Sequence, residues 1–143
     1  MNKKYFLGLI VLVGIIILVV VVVVGQGKWF GQDLVKSLES KNFKLVEYNG
    51  QTSPGGGDYS LTFSEGVISA KFCNGLGGEY TLEDNVLQAD LVGTLMYCET
   101  PIGLMEVESV FSRIVNKGAM VSLEDENLIL TGPSGEELVF MAE

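Results

Sequence analysis

Two thiols, three consecutive carboxylates and an asparagine set among glycines are the residues of this chain whose types could do chemistry, and no histidine stands with them anywhere in 143 positions. Without imidazole there is no Ser-His-Asp or Cys-His nucleophile, no histidine metal ligand and no side chain that ordinarily switches charge near neutral pH. Cys73 and Cys98 are the only cysteines. A redox-active pair is usually close in sequence and lowered in pKa by neighbouring cations, whereas this pair is far apart and lies among acids. Facing an oxidising compartment the two would form a structural disulfide, and a loop of about 26 residues would be worth roughly 3.5 kcal/mol by chain entropy. Facing the cytoplasm they would be two free, buried thiols. Glu124, Asp125 and Glu126 are consecutive, which suits a solvated hairpin turn; calcium loops alternate their ligands around a glycine. Glu106 and Glu108, two apart on a helix, do not face each other and form no acid/base pair by themselves. Gly55, Gly56 and Gly57 lack the Lys-Ser/Thr that completes a phosphate-binding loop, and a strand pattern follows them instead of a helix. Lys71, Arg113 and Lys117 are too few and too scattered for an anion site. The expectation is therefore a protein with no catalytic residue, no cofactor and no metal: not an enzyme.

The elements that would carry these residues begin with an apolar run. Tyr5–Val24, "YFLGLIVLVGIIILVVVVVV", holds no charge over twenty positions, and at about 1.5 Å per residue it covers the roughly 30 Å hydrocarbon layer. Valine is poor helix material in water, but in lipid each backbone group must bond within its own segment, so a single span is helical. A cleaved secretory signal is the alternative, against which stand the length of the run and the lack of a small-x-small site in "VVGQGKWF". A lipoprotein signal does not fit, since neither cysteine follows the apolar run. Lys3 and Lys4 precede the span and only Lys28 follows closely, so the N-terminus is expected in the cytoplasm and the rest outside. The expected organisation is a basic start at 1–4, a transmembrane anchor at 5–24, a linker with a possible short helix at 25–42, and one domain at 43–143. Residues 31–143 lose three of the nine basic residues and none of the eighteen acidic ones, a net charge of −12. That charge argues against nucleic acid and anionic headgroups as partners.

In "GQDLVKSLESKN", Leu34, Val35 and Leu38 share one helical face. From Phe43 the period becomes two, with Phe43, Leu45 and Glu47 on one side. "YSLTFSEGVISAKFC" predicts a hairpin, "EYTLEDN" and "VLQADLV" a second, and Ala119–Leu123, Asn127–Thr131 and Glu137–Met141 three further strands. One segment has helical spacing: Leu104, Val107, Phe111, Ile114 and Val115, with Thr100 at N-cap, Pro101 at N1 and Gly118 as the stop. Glu106 and Glu108 in its first half and Lys117 in its last turn suit the helix dipole. One helix against a curled antiparallel sheet is an α+β domain.

"CNGLGGEY", then "TLMYC", then a helix carrying Glu108 and Phe111, and last "NLILTGPSGEELVF" together resemble the META domain family, the HslJ-like proteins. The family pattern falls on Cys73, Asn74, Gly78, Tyr80, Thr94, Met96 and Cys98, and the resemblance covers about Phe43 to Met141; Phe43 stands where many members have tryptophan. The resemblance implies a small α+β domain in which a strongly curved antiparallel sheet, a half-open barrel, packs on one main helix; here an N-terminal transmembrane helix precedes it. These motif residues suit architecture: glycines after Asn74 would permit positive φ and a tight bend, and Thr94 and Met96 would share one face of an extended segment carrying Cys98. Family members are commonly exported or lipid-anchored and associated with heat shock, drug resistance or virulence. The implied function is non-enzymatic, an envelope-protein partner or a role in envelope stress. A carrier of a hydrophobic small ligand or lipid, held between sheet and helix, is the alternative.

Overall fold

A computed structural model of the chain describes residues 33–143; the expected anchor Tyr5–Val24 lies outside the described residues. Among the described residues no helix is long and apolar enough to cross a membrane. The short amphipathic segment ahead of the domain is helical over residues 33–39, and its Leu38 is fully buried, as the spacing predicts.

Ten strands follow: β1 (Asn42–Tyr48), β2 (Gln51–Thr52), β3 (Ser60–Ser64), β4 (Val67–Lys71), β5 (Gly75–Glu83), β6 (Val86–Ala89), β7 (Val92–Gly93), β8 (Ala119–Glu124), β9 (Asn127–Thr131) and β10 (Glu137–Ala142). Both expected hairpins close on two-residue turns, Glu65–Gly66 and Asp84–Asn85, whose residues all have positive φ. That is the turn geometry whose twist matches the strands it joins. The three C-terminal strands fall within a residue of their expected limits, and Asp125 lies in the β8–β9 turn, as the run of carboxylates suggests. Glu47 departs from expectation: a bulge between Leu45 and Glu47 shifts the register against β10, and Glu47 is exposed while Phe43 and Leu45 point into the core. An extra residue on one strand reverses the facing of those that follow.

All pairings are antiparallel, and β1 pairs with β10, so β10, β9, β8, β6, β5, β4, β3 and β1 form a closed ring. The sheet is therefore a barrel and not half open. Its weakest join is β6–β8, only Val86↔Met120 and Leu87↔Ala119. Beyond that join β5 takes the short β7 as its neighbour, through Leu76↔Gly93 and Gly77↔Val92.

The helix α1 (Leu104–Lys117) turns Leu104, Val107, Glu108, Phe111, Ile114 and Val115 inward. Phe111 meets Phe72 at 5.1 Å and Phe140 at 6.3 Å between ring centroids, so aromatic rings fill the contact between helix and sheet. The helix begins later than the Thr100–Pro101 signal predicts. The Thr100–Pro101 peptide is cis, the Leu104 N–H bonds back to the Pro101 carbonyl, and Gly103, at φ 91°, takes the N-cap position without a side-chain cap. Residues 100–103 make a turn in place of a first helical turn. The C-terminal end matches the expectation: Gly118 has positive φ, its N–H bonds to Val115 O, and Lys117 occupies the last turn.

Candidate functional site

The motif residues converge on the side chain of Asn74, which is buried. Its backbone N–H and its Nδ2 each donate to the Glu108 carboxylate, at 2.7 Å in both cases. Its Oδ1 accepts from Met96 N at 2.6 Å and Thr94 Oγ1 at 2.8 Å, while Nδ2 also donates to Met96 O at 3.2 Å. An ionised carboxylate only accepts, so Glu108 fixes which end of the amide carries the donor. Cys73, next to Asn74, is bonded to Cys98 with the Cα atoms 6.0 Å apart. Cys73, Asn74, Thr94, Met96, Cys98 and Glu108 thus form one cluster.

The remaining motif residues stand around it. Phe111 packs beneath Phe72. Tyr80 lies elsewhere on β5, edge-on to Phe63 at 5.3 Å, and its hydroxyl donates to Glu39 Oε1 at 3.4 Å, tying the short leading helix to the barrel. Burial first, and the Glu39 carboxylate next, push the Tyr80 phenol above its ordinary pKa. The glycines are used differently from the sequence reading. Gly75, Gly77 and Gly78 belong to β5 and none has positive φ. The stretch is extended, and the need for glycine at Gly78 is close approach: a Cβ there would stand 2.5 Å from the Asp90 carbonyl oxygen.

What the cluster supports is the segment after β7. Thr94 N donates to Gly75 O, continuing the β5 pairing by one bond; past that point the Asn74 side chain serves Met96 in place of a strand. Held this way, the segment exposes large apolar side chains: Val92 is 75% exposed, Leu95 102%, Met96 55%, Tyr97 79%, and Ile102, beyond the disulfide, 92%. Leu95, Tyr97 and Ile102 were not singled out by the sequence reading. The available signal was "TLMYCETPI", apolar residues without the alternation that would bury half of them. The clefts near this end are open and mixed in polarity. One of about 360 Å³ lies between β1–β2 and the start of α1, where Tyr48, Thr52, Ile102 and Glu106 line it and the Tyr48 hydroxyl donates to Glu106 Oε1 at 3.3 Å. Among the described residues no group of three acids or cysteines is arranged to hold a metal ion.

The META domain family matches residues 36–143, and the chain belongs to that family. No curated protein matches it. Two solved structures share the architecture. One protein solved by NMR is 28% identical with a TM-score of 0.66, over 75% of this chain and 92% of its own. A protein from Burkholderia xenovorans, also solved by NMR, is 23% identical with a TM-score of 0.59, over 76% of this chain and 86% of its own, a likeness of fold.

Proposed function

Taking the chain as a META domain, we propose that it is a binding protein and not an enzyme, anchored in the membrane by Tyr5–Val24 and presenting its domain outside the cytoplasm to another envelope protein. The observation that carries this reading is the apolar surface of Val92, Leu95, Tyr97 and Ile102. Exposed apolar groups are ordinary when scattered, but grouped in one segment they mark interaction sites. This segment is also held in place by a disulfide and three hydrogen bonds of Asn74, which two further bonds fix to Glu108. A rigid presenting segment loses little conformational freedom on binding.

The cysteine pair supports an oxidising location, because a bridge persists outside the reducing cytosol. A photo-reactive side chain placed at Leu95, Tyr97 or Ile102 of the full-length protein, in intact cells, is expected to yield one discrete adduct common to all three positions. The same group at Ser122, on the exposed side of β8, should yield none. Equal labelling from Ser122, or no adduct from any of the three, removes this function.

A further inference from the structure

The hydrogen bonds along residues 94–97 alternate. Thr94 N bonds to Gly75 O, and both the N–H and the carbonyl of Met96 are bonded to the Asn74 side chain. The N–H and carbonyl groups of Leu95 and Tyr97, between and after them, have no partner among the described residues. The strand β7 itself ends at Gly93, but bonded residues 94 and 96 alternating with unbonded 95 and 97 is the pattern of a strand edge, in which the unbonded donors and acceptors face away from the barrel. The segment continues β7, which has β5 on one side and no strand on the other.

We propose that this edge accepts an extended segment of a partner protein as an added β-strand, one with alternating apolar side chains and lysine or arginine at its ends. The proposal rests on the binding function above and names its mode and chemistry. The open backbone row calls for another backbone, because such edges pair readily with an added chain. The basic ends follow from charge. Between Lys71 and Arg113 the chain carries no basic residue, and exposed Asp90 and Glu99 flank the edge. A second copy brings the same acids and a domain of net −12 against them, so self-pairing is disfavoured. A lipid surface would leave the Leu95 and Tyr97 backbone groups without partners.

The probe is a synthetic peptide of alternating valine and threonine with two lysines at each end, titrated into full-length protein in phosphatidylcholine nanodiscs. The peptide is expected to bind and to slow hydrogen exchange at the Leu95 and Tyr97 amides. N-methylation of the peptide amides on one register should weaken binding about tenfold, and on the other by less than about twofold, since only one set faces the edge. Leu95→Pro, which removes an outward donor at an edge position where proline is tolerated, should weaken binding by a similar factor. If that variant fails to fold, the methylated peptides on the unchanged protein decide the matter alone. Equal loss from both registers, or none from either, overturns strand addition. Adducts at Leu95 persisting beside that result would leave the docking surface standing. Protection of the two amides in peptide-free nanodiscs containing phosphatidylglycerol, absent in detergent, would assign the edge to lipid and overturn the proposal. A dimer protected at the same amides would assign it to a second copy and do the same.

Discussion

Replacing Asn74 by alanine removes at one position the donor and the acceptor that hold Met96 and Thr94, and leaves the buried Glu108 carboxylate with one of its two Asn74 contacts. At about 1 kcal/mol for each of the four side-chain bonds lost, N74A should cost about 4 kcal/mol in urea unfolding. Asn74→Asp distinguishes an amide from a merely polar group. It sets a second carboxylate against the Glu108 oxygens where a donor was, and two ionised carboxylates at that distance repel. Its stability is then best in acid and is lost as pH rises through the carboxylate range, so N74D should be less stable than N74A at neutral pH and approach it near pH 4. A gap that does not narrow on acidification would mean that Asn74 does not face an ionised Glu108. Glu136 carries the opposite sign. Its own backbone N–H first, and the Arg113 guanidinium next, hold its carboxyl below the ordinary 4.5. Its contribution is present above the ordinary carboxylate pKa and is lost as pH falls through the lowered folded value. Carbon-detected NMR should find the Glu136 midpoint below 4.5, and Arg113→Ala should return it only part of the way.

At the scale of elements the glycines of β5 separate two explanations. If they bend the chain, Gly75 and Gly78 matter alike; if close approach matters, only Gly78 does. A Cβ at Gly78 would meet the Asp90 carbonyl at 2.5 Å, while one at Gly75 meets nothing within 4 Å. Gly78→Ala should therefore destabilise by about 2 kcal/mol and Gly75→Ala by under about 0.5 kcal/mol in thermal unfolding. Similar losses at both would restore the bend. The contrast also marks what a sequence can carry. Strand pairs β3–β4 and β8–β9–β10 were legible because alternation and turn residues are local, and so was the C-terminal end of α1 at Gly118. The cluster was half legible: the resemblance picked out Asn74, Thr94, Met96 and Glu108, but the contact between the bend ahead of β5 and α1 that makes Glu108 the acceptor spans 34 residues and leaves no periodic trace. Closure of the ring through β1–β10 and β6–β8 is invisible for the same reason, since each strand reads alike in an open sheet or a barrel. The helix start was misplaced because Gly103, at φ 91°, takes the N-cap position and the Leu104 N–H turns back to the Pro101 carbonyl, a placement that tertiary packing sets and local residue type does not reveal.

For the whole molecule, membrane topology and cysteine chemistry must agree. In the proposed topology Lys3 and Lys4 stay on the cytoplasmic side of Tyr5–Val24 and the domain lies outside, where a bridge such as Cys73–Cys98 would persist. The bridge matters beyond local geometry, for it ties the Asn74 bend to the segment that bears Leu95 and Tyr97 and restricts the unfolded chain across a sequence separation of 25, worth about 3.5 kcal/mol. Full-length protein trapped with a thiol-alkylating mass tag during lysis of its native host should carry no tag before reduction and two after it. The Cys73→Ser, Cys98→Ser double variant should lose stability by that amount and show faster amide exchange across residues 94–97, with β9 and β10 little changed. Two tags without reduction would place the domain in a reducing compartment, and the outward topology and an envelope partner would fall together. No tag, but unchanged exchange in the double variant, would keep the topology and hand the whole task of holding the segment to Asn74 and Glu108.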